Sequence, residues 1–363
     1  MKHLFCVILV IFSVVVGSLQ AEEMPKYIEL VGHEIIDDSV LHNVVTIVFS
    51  PDSKKAVTSA ADCTIRLWDA DSGKELHKWR WDEIPQTFVF TSDSKKVAGV
   101  NVITKETIDA RIWDIESGKE LPKLEREAFF DTFPLPRKYV GPVSTSDELY
   151  VQIWEDSSMK LRKLEGHVMQ LIAAAYSPDH KKIVISELGS TVDRTGDIPY
   201  HRAFPGNTPF HTTVRVWDVE SGKELHTLDR HGGLVRSLKF SPDGKKFAMM
   251  EITKPIAAEL GKSVVRLWDA DSGKELKEIE VSSEMKFSDF SPDGKKIVDH
   301  TIGIRIIDTE SAKVQRLEMP ERSEPYRWYV YSRPIVRYSI FSPDGKKIGL
   351  VGDYALAGIW VLE

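Results

Sequence analysis

The peptide RLWDADSGKEL occurs at residues 66–76 of this 363-residue chain and returns, letter for letter, at 266–276. Two variants stand between the copies, RIWDIESGKEL at 111–121 and RVWDVESGKEL at 215–225. Weaker echoes are QIWEDSSMKL at 152–161, RIIDTESAKV at 305–314 and GIWVLE at 358–363. A second phrase recurs out of step with the first. It reads FSPDSKK from Phe49, FTSDSKK from Phe90, FPLPRK from Phe133, YSPDHKK from Tyr176 and FSPDGKK from Phe240, Phe290 and Phe341. Each phrase therefore occurs seven times. A regular period confines a chain to architectures in which like units pack on one another, because one unit cannot bury its apolar face alone.

Each unit reads as four short strands. In the first, VVTIVF is strand a, SPDSKK a tight turn, KKAVTS strand b, TIRLWD strand c, DADSGK a second turn and ELHKW strand d. Val, Ile, Thr and aromatic residues alternate between clusters of Pro, Asp, Ser and Gly, as strands between turns do. Gly73 and its equivalents suit a hairpin position that needs positive φ. The fold class is all-β.

Trp68-Asp69, Trp113-Asp114, Trp217-Asp218 and Trp268-Asp269, with Gly32-His33 and Gly166-His167, resemble the WD-repeat (WD40) family, and the chain looks like a secreted, bacterial-type member of it. The resemblance covers nearly the whole chain after the N-terminal segment. It implies a seven-bladed β-propeller of four-stranded antiparallel blades. It also implies that His33, Asp62 and Trp68 form a structural hydrogen-bond chain, with Trp113, Trp217, Trp268 and Trp360 as structural counterparts. Departures are Glu155 for the Asp, Ile307 for the Trp and Val361 after Trp360. The seventh unit stops at strand c, whereas YIELVGHE near the N-terminus reads as a strand d followed by Gly-His. An N-terminal outer strand, residues 27–31, is thus expected to complete the last blade and close the ring.

Residues 1–21 carry a charged start at Lys2, an apolar run from Leu4 to Val16 and a small-residue exit at Gly17, Ser18 and Ala21. They read as a signal peptide removed on export, to the periplasm or outside the cell, with residues 22–363 as a single propeller. The alternative is an uncleaved anchor tethering the protein to a membrane. After cleavage no stable membrane insertion is expected. Cys63 would be the one cysteine left, so no intrachain disulfide can form. With 48 Lys and Arg against 55 Asp and Glu, the net charge of −7 argues against nucleic acid as a partner.

Spacing within the repeats locates the irregularities. The distance from the Phe or Tyr landmark to the Trp landmark of the same unit is 17 to 23 residues except in units four and five, where it is 41 and 28. From that landmark to the next unit it is 20 to 23 except before unit seven, where it is 34. The three insertions, about 189–211, 254–262 and 320–334, fall in b–c and d–a connections, which lie on one face of the disc when strands alternate in direction. Tyr326, Arg327, Trp328, Tyr329, Tyr331 and Arg333 in the third, and Tyr200, His201, Arg202, Phe204 and His211 in the first, are candidates for partner contact. Tyr, Trp and Arg bury large area at small entropic cost; the plainer reading is that alternate aromatics pack back on the blade.

Chemistry is sparse. Asp193, Asp197, His201 and His211 lack the spacing that pre-arranges metal ligands. The Asp-x-Asp of DADSGKE reads as a hairpin turn, since the calcium loop it resembles needs a Glu at position twelve. Six Lys-Lys pairs follow the a–b turns and read as solvated charge, with an anion-binding ring as the rival. No nucleophile elbow is present, and the inner strands look mostly apolar. The expectation is a non-enzymatic, exported, monomeric propeller, without catalytic, cofactor or metal residues, that acts as a protein-protein interaction scaffold. The alternatives are a ligand- or polysaccharide-binding propeller, or a hydrolase or lyase.

Overall fold

The repeat phrases fold into hairpins whose polar residues tie their own turns. Ser50 Oγ donates to Asp52 Oδ1 (2.5 Å), the Lys54 amide donates to the same oxygen (3.1 Å), and Ser50 N donates to Lys55 O (2.9 Å). In the second turn Asp69 Oδ1 accepts from the Ser72 amide and hydroxyl at 2.9 and 2.6 Å. Gly73, at φ 73°, reverses the chain without a Cβ penalty. Ser, Asp and Gly here give the backbone an alternative to continuing the strand.

The computed structural model describes residues 25–34, 44–81, 85, 87–102, 108–133, 138–144, 149–155, 161–164, 171–189, 211–231, 233–252, 263–281, 286–301, 303–319, 336–353 and 355–362. They form seven sheets, six of four antiparallel strands and one of three. The first is Val44–Phe49, Lys55–Ala60, Thr64–Asp69 and Glu75–Arg80. The second is Thr87–Phe90, Lys96–Val102, Ile108–Asp114 and Glu120–Leu121. The fourth begins at Leu171–Tyr176, the fifth at Leu234–Phe240, the sixth at Lys286–Phe290 and the seventh at Val336–Phe341. These first strands touch one another in the succession four, five, six, seven, one, two, which makes strand a the innermost.

Closure follows the expected route. Lys26–Glu29 pairs antiparallel with Ala357–Val361, Tyr27 opposite Trp360, as the fourth strand of the seventh sheet. The two rings lie 5.2 Å apart.

The third sheet departs from expectation. Its strands are Lys138–Ser144, Leu149–Glu155 and Leu161–Leu164, and the segment read as its strand a is instead a helix, Arg126–Thr132. Phe129 in the helix and Phe133, its C-cap, whose amide donates to Phe129 O, stack at 4.9 Å and bury themselves against Val89, Ala98, Val100 and Ile112 of the second sheet. FPLPRK has also lost the Ser and Asp that tie the other a–b turns.

The core lies in the seams between sheets. Ile28, Leu30, Ile47, Phe49, Trp68, Val351 and Ile359 fill the seam between the seventh and first sheets, and Val214, Val216, Leu238, Phe240, Phe247 and Met249 that between the fourth and fifth. At about 1.5–3 kcal/mol per fully buried large apolar side chain, these seams outweigh any surface ion pair. Polar latches add direction: His77 Nε2 lies 3.1 Å from Ile115 O, Trp79 Nε1 donates to Gly118 O (2.7 Å), and His226 Nε2 lies 2.7 Å from Asp271 O. Each joins an outer strand to the c–d turn of the next sheet.

Candidate functional site

Strand direction sorts the connections onto two faces. Gly189 pairs with His211 and Ile252 with Ser263, so the two ends of each of the first two insertions stand side by side where strand b stops and strand c starts. The third insertion leaves after Leu317, the end of a strand d, and re-enters at Val336, the start of a strand a. All these strand ends share one face. Tyr200, His201, Arg202, Phe204, Tyr326, Arg327, Trp328, Tyr329, Tyr331 and Arg333 lie outside the described residues, as do Asp193 and Asp197; His211 opens the strand His211–Asp218.

On that face the structure brings His33, Asp62 and Trp68 together through Thr58, a residue the sequence reading did not single out. The Trp68 indole N–H donates to Thr58 Oγ1 (2.8 Å), and Thr58 Oγ1 lies 2.7 Å from His33 Nε2. His33 Nδ1 lies 3.2 Å from Asp62 Oδ2 and 3.1 Å from Thr64 Oγ1. Asp62 also accepts from the amides of Glu34 (3.0 Å) and Thr64 (2.9 Å) and from the Thr64 hydroxyl (2.7 Å). One tautomer satisfies the chain: Thr58 donates to Nε2, and Nδ1–H donates to Asp62.

Electrostatics agree with that assignment. Burial pushes the His33 imidazole down, against the pull of Asp62, and favours the neutral ring. Burial acts to raise the Asp62 carboxyl. The hydrogen bond from the His33 ring, with those of the Thr64 hydroxyl and the Glu34 amide, overrides it and holds Asp62 well below the usual carboxylate range. The order hydroxyl, imidazole, carboxylate matches that of a hydrolase triad. Thr58 is fully buried, however, and its oxygen already accepts the indole proton, so it presents no nucleophile to solvent. The chain ties the d–a connection to strands b and c.

The other sheets solve the same problem differently. Trp113 is stacked by Trp79 at 5.1 Å and met edge-on by Trp81 at 6.2 Å. Trp217 and Trp268 are buried, and Trp360 packs on Tyr27, its indole nitrogen without a hydrogen-bond partner among the described residues. In the sixth sheet Ile307 is fully buried where a Trp stands elsewhere. Arg305 Nε donates to Asp299 Oδ2 (2.6 Å), and His300 Nδ1 lies 3.3 Å from Ser339 Oγ.

The inner strands are less apolar than expected. Lys239 and Asp289, each one residue before its aromatic landmark in neighbouring sheets, pair at 3.3 Å. Burial raises the Asp289 carboxyl against the pull of Lys239, and burial with the nearby Asp289 charge pushes the Tyr338 phenol up to about 12. A cavity of about 540 Å³ lies between the fourth and fifth inner strands, lined by Ala174, Ala175, Tyr176, Pro178, Leu238 and Phe240 among others. Among the described residues no group of three or more His, Cys, Asp or Glu could hold a metal ion, and no helix is long and apolar enough to cross a membrane.

Comparison with known proteins fits this geometry. Residues 28–69 and 222–269 match the family described as WD40, "WD domain, G-beta repeat". The chain is 25% identical over 251 residues to the serine-threonine kinase receptor-associated protein of Gallus gallus, covering 61% of this chain and 65% of that one. It is 26% identical over 263 residues to the apoptotic protease-activating factor 1 of Danio rerio, 62% of this chain and 19% of that one. A 36-residue stretch is 58% identical to the F-box-like/WD repeat-containing protein TBL1X of Mus musculus, 10% of this chain and 7% of that one. The chain spans about two thirds of the length of the receptor-associated relatives, 65%, and far less of the others. Blades of four strands and the recurring Trp-Asp ends of strand c agree with the two WD40 matches at residues 28–69 and 222–269.

Proposed function

We propose that the protein is an exported, non-enzymatic propeller that holds protein partners on the face from which its three insertions leave. One observation carries the reading: every place where the repeat spacing breaks falls at strand ends of a single face, while the a–b turns of the opposite face keep one phrase in six units, FPLPRK of the third being the exception. A scaffold that keeps one face regular and varies the other is built for contact through the varied one. The names of two relatives, a receptor-associated protein and a protease-activating factor, are consistent with work done through association.

Replacing residues 190–210 and, separately, 321–333 by short Gly-Ser links tests it. The expected result is a folded disc that no longer crosslinks to the exported proteins recovered with the full chain; unchanged recovery by both variants overturns the reading. Export through residues 1–21 is tested by N-terminal sequencing of the secreted or periplasmic product, expected to begin at Glu22. Retention of Met1 in a membrane fraction would favour the anchored alternative. The cavity beside Ala174 and Ala175 is the observation that favours small-ligand binding as a second reading.

A further inference from the structure

The face opposite the insertions carries the six Lys-Lys pairs. In two of them the second lysine is drawn into the scaffold: Lys347 Nζ pairs with Asp71 (2.9 Å) and donates to Ser53 O (3.1 Å), and Lys182 Nζ pairs with Asp271 (2.5 Å), each reaching the next sheet, whereas Lys96 and Lys296 are exposed like the first lysines. The first lysines, Lys54, Lys95, Lys181, Lys245, Lys295 and Lys346, are all exposed, and among the described residues none enters an ion pair.

Their backbones are fixed six times over in the same way. Each amide donates to the Asp two residues before it at 3.0–3.1 Å. Each carbonyl accepts from the residue after strand c at 2.8–2.9 Å, from Ala70 N to Lys54 O through to Leu362 N to Lys346 O. The turns also nest against each other. Asp344 N donates to Ser53 Oγ (3.0 Å) and Asp52 N to Ser94 Oγ (3.2 Å). A Cβ on Gly244, Gly294 or Gly345 would meet Pro178, Ser241 or Pro292 at 3.4–3.6 Å. Six ammonium groups thus rise from a rigid, continuous arc at the inner-strand end of the disc. The acids of these turns accept from the Ser or Thr hydroxyl and the Lys amide through Oδ1 and stay ionised, so each arc lysine stands beside one carboxylate and the excess positive charge of a turn comes from its second lysine. Outside the arc the outer turns carry the exposed acids Glu116, Glu220 and Glu310, with Asp71 and Asp271 taken up by Lys347 and Lys182.

We propose that this arc is a binding site for a compact, soluble polyphosphate lying over the inner-strand end of the disc. A fixed backbone confines the ordering cost of binding to the lysine side chains, and several lysines at one radius favour a ligand with several negative charges close together. The outer acids disfavour extended polyanions and flat anionic surfaces, which would have to cross them. This site is independent of the partner-binding reading, since it uses the other face.

The test is calorimetric titration of the full chain with inositol hexakisphosphate and with tripolyphosphate at about 20 mM salt, where screening is weak. One saturable site is expected, weakening as salt rises. The triple variant Lys54→Gln, Lys295→Gln, Lys346→Gln should lose about tenfold in affinity or more, whereas Lys74→Gln, Lys223→Gln, Lys274→Gln, which removes equal charge from the outer turns, should lose less than about twofold. Unchanged melting of both variants separates binding from folding. Absence of saturable binding, equal losses in the two triples, or equally tight binding of a DNA oligonucleotide or of phosphatidylserine vesicles would each overturn the proposal.

Discussion

The first and sixth sheets occupy the same architecture with opposite chemistry at one position. In the first, Trp68 ends strand c and feeds a hydrogen-bond chain through Thr58 and His33 to Asp62. In the sixth, Ile307 stands there, fully buried and purely apolar, and the polar residues nearby are the Arg305–Asp299 pair. Both sheets keep four strands and the same turns. Burial in the seam is therefore what a blade requires. The hydrogen-bond chain is a local device that fixes where the d–a connection crosses, and it is worth only the difference between a satisfied and an unsatisfied buried polar group.

Cavity-forming substitutions probe that contrast most strongly. Trp68→Ala should cost about 3–5 kcal/mol and Ile307→Ala about 2–5 kcal/mol, read as denaturation midpoints. A far larger loss at Trp68 would show that the polar chain, and not burial, holds the first sheet. His33→Ala removes the centre of the chain while leaving the seam intact and should cost about 1–3 kcal/mol, by the same measurement.

Acid should separate the two sheets next. The folded state depresses His33 below its ordinary 6.5, so its contribution is present above that value and is lost as pH falls below it. Asp62, also depressed, contributes above the ordinary carboxylate range and is lost only at lower pH. Melting temperature of the parent should drop as pH falls below 6.5, and His33→Gln should flatten that segment of the curve. A parallel drop in the variant would assign the acid sensitivity elsewhere. The smallest effect concerns the c–d turns: Gly73 sits at φ 73° and its sixth-sheet counterpart Ala312 at φ 62°. Ala312→Gly should relieve left-handed strain and stabilise by about 0.5 kcal/mol, close to the limit of a chemical melt.

Much of this was legible in the letters. Turn residues at fixed spacing gave the strands, and the truncated seventh unit together with YIELVGHE gave closure by an N-terminal strand; the register, Tyr27 opposite Trp360, needed the structure. Position, not residue type, carried that information. What escaped was whatever depends on tertiary neighbours. Thr58 reads as an ordinary strand residue until an indole and an imidazole are placed on either side of it. REAFFDT stands where an inner strand is expected, but Phe129 and the C-cap Phe133 stack on each other and bury against the second sheet. The two prolines and missing Asp of FPLPRK were the available signal. Lys239 and Asp289 stand in KF and DF pairs that resemble neighbouring strands, and only adjacency of the inner strands turns them into an ion pair. The aromatic residues proposed for partner contact belong to insertions, where no repeat constrains the reading.

The pairing of Lys26 with Val361 has a consequence for how the molecule comes into being. Within each sheet but the seventh, the pairing strands are neighbours in sequence and can meet as soon as they emerge. The seventh pairs the first and last strands among the described residues, so Lys26–Glu29 must wait for Ala357–Val361. Bringing together ends separated by more than 300 residues carries a loop-closure cost of about 5 kcal/mol before any contact repays it. Sealing is therefore the slow, final event of assembly, and a chain interrupted anywhere before Ala357 is left with an unclosed last sheet, open to pairing with a neighbouring molecule.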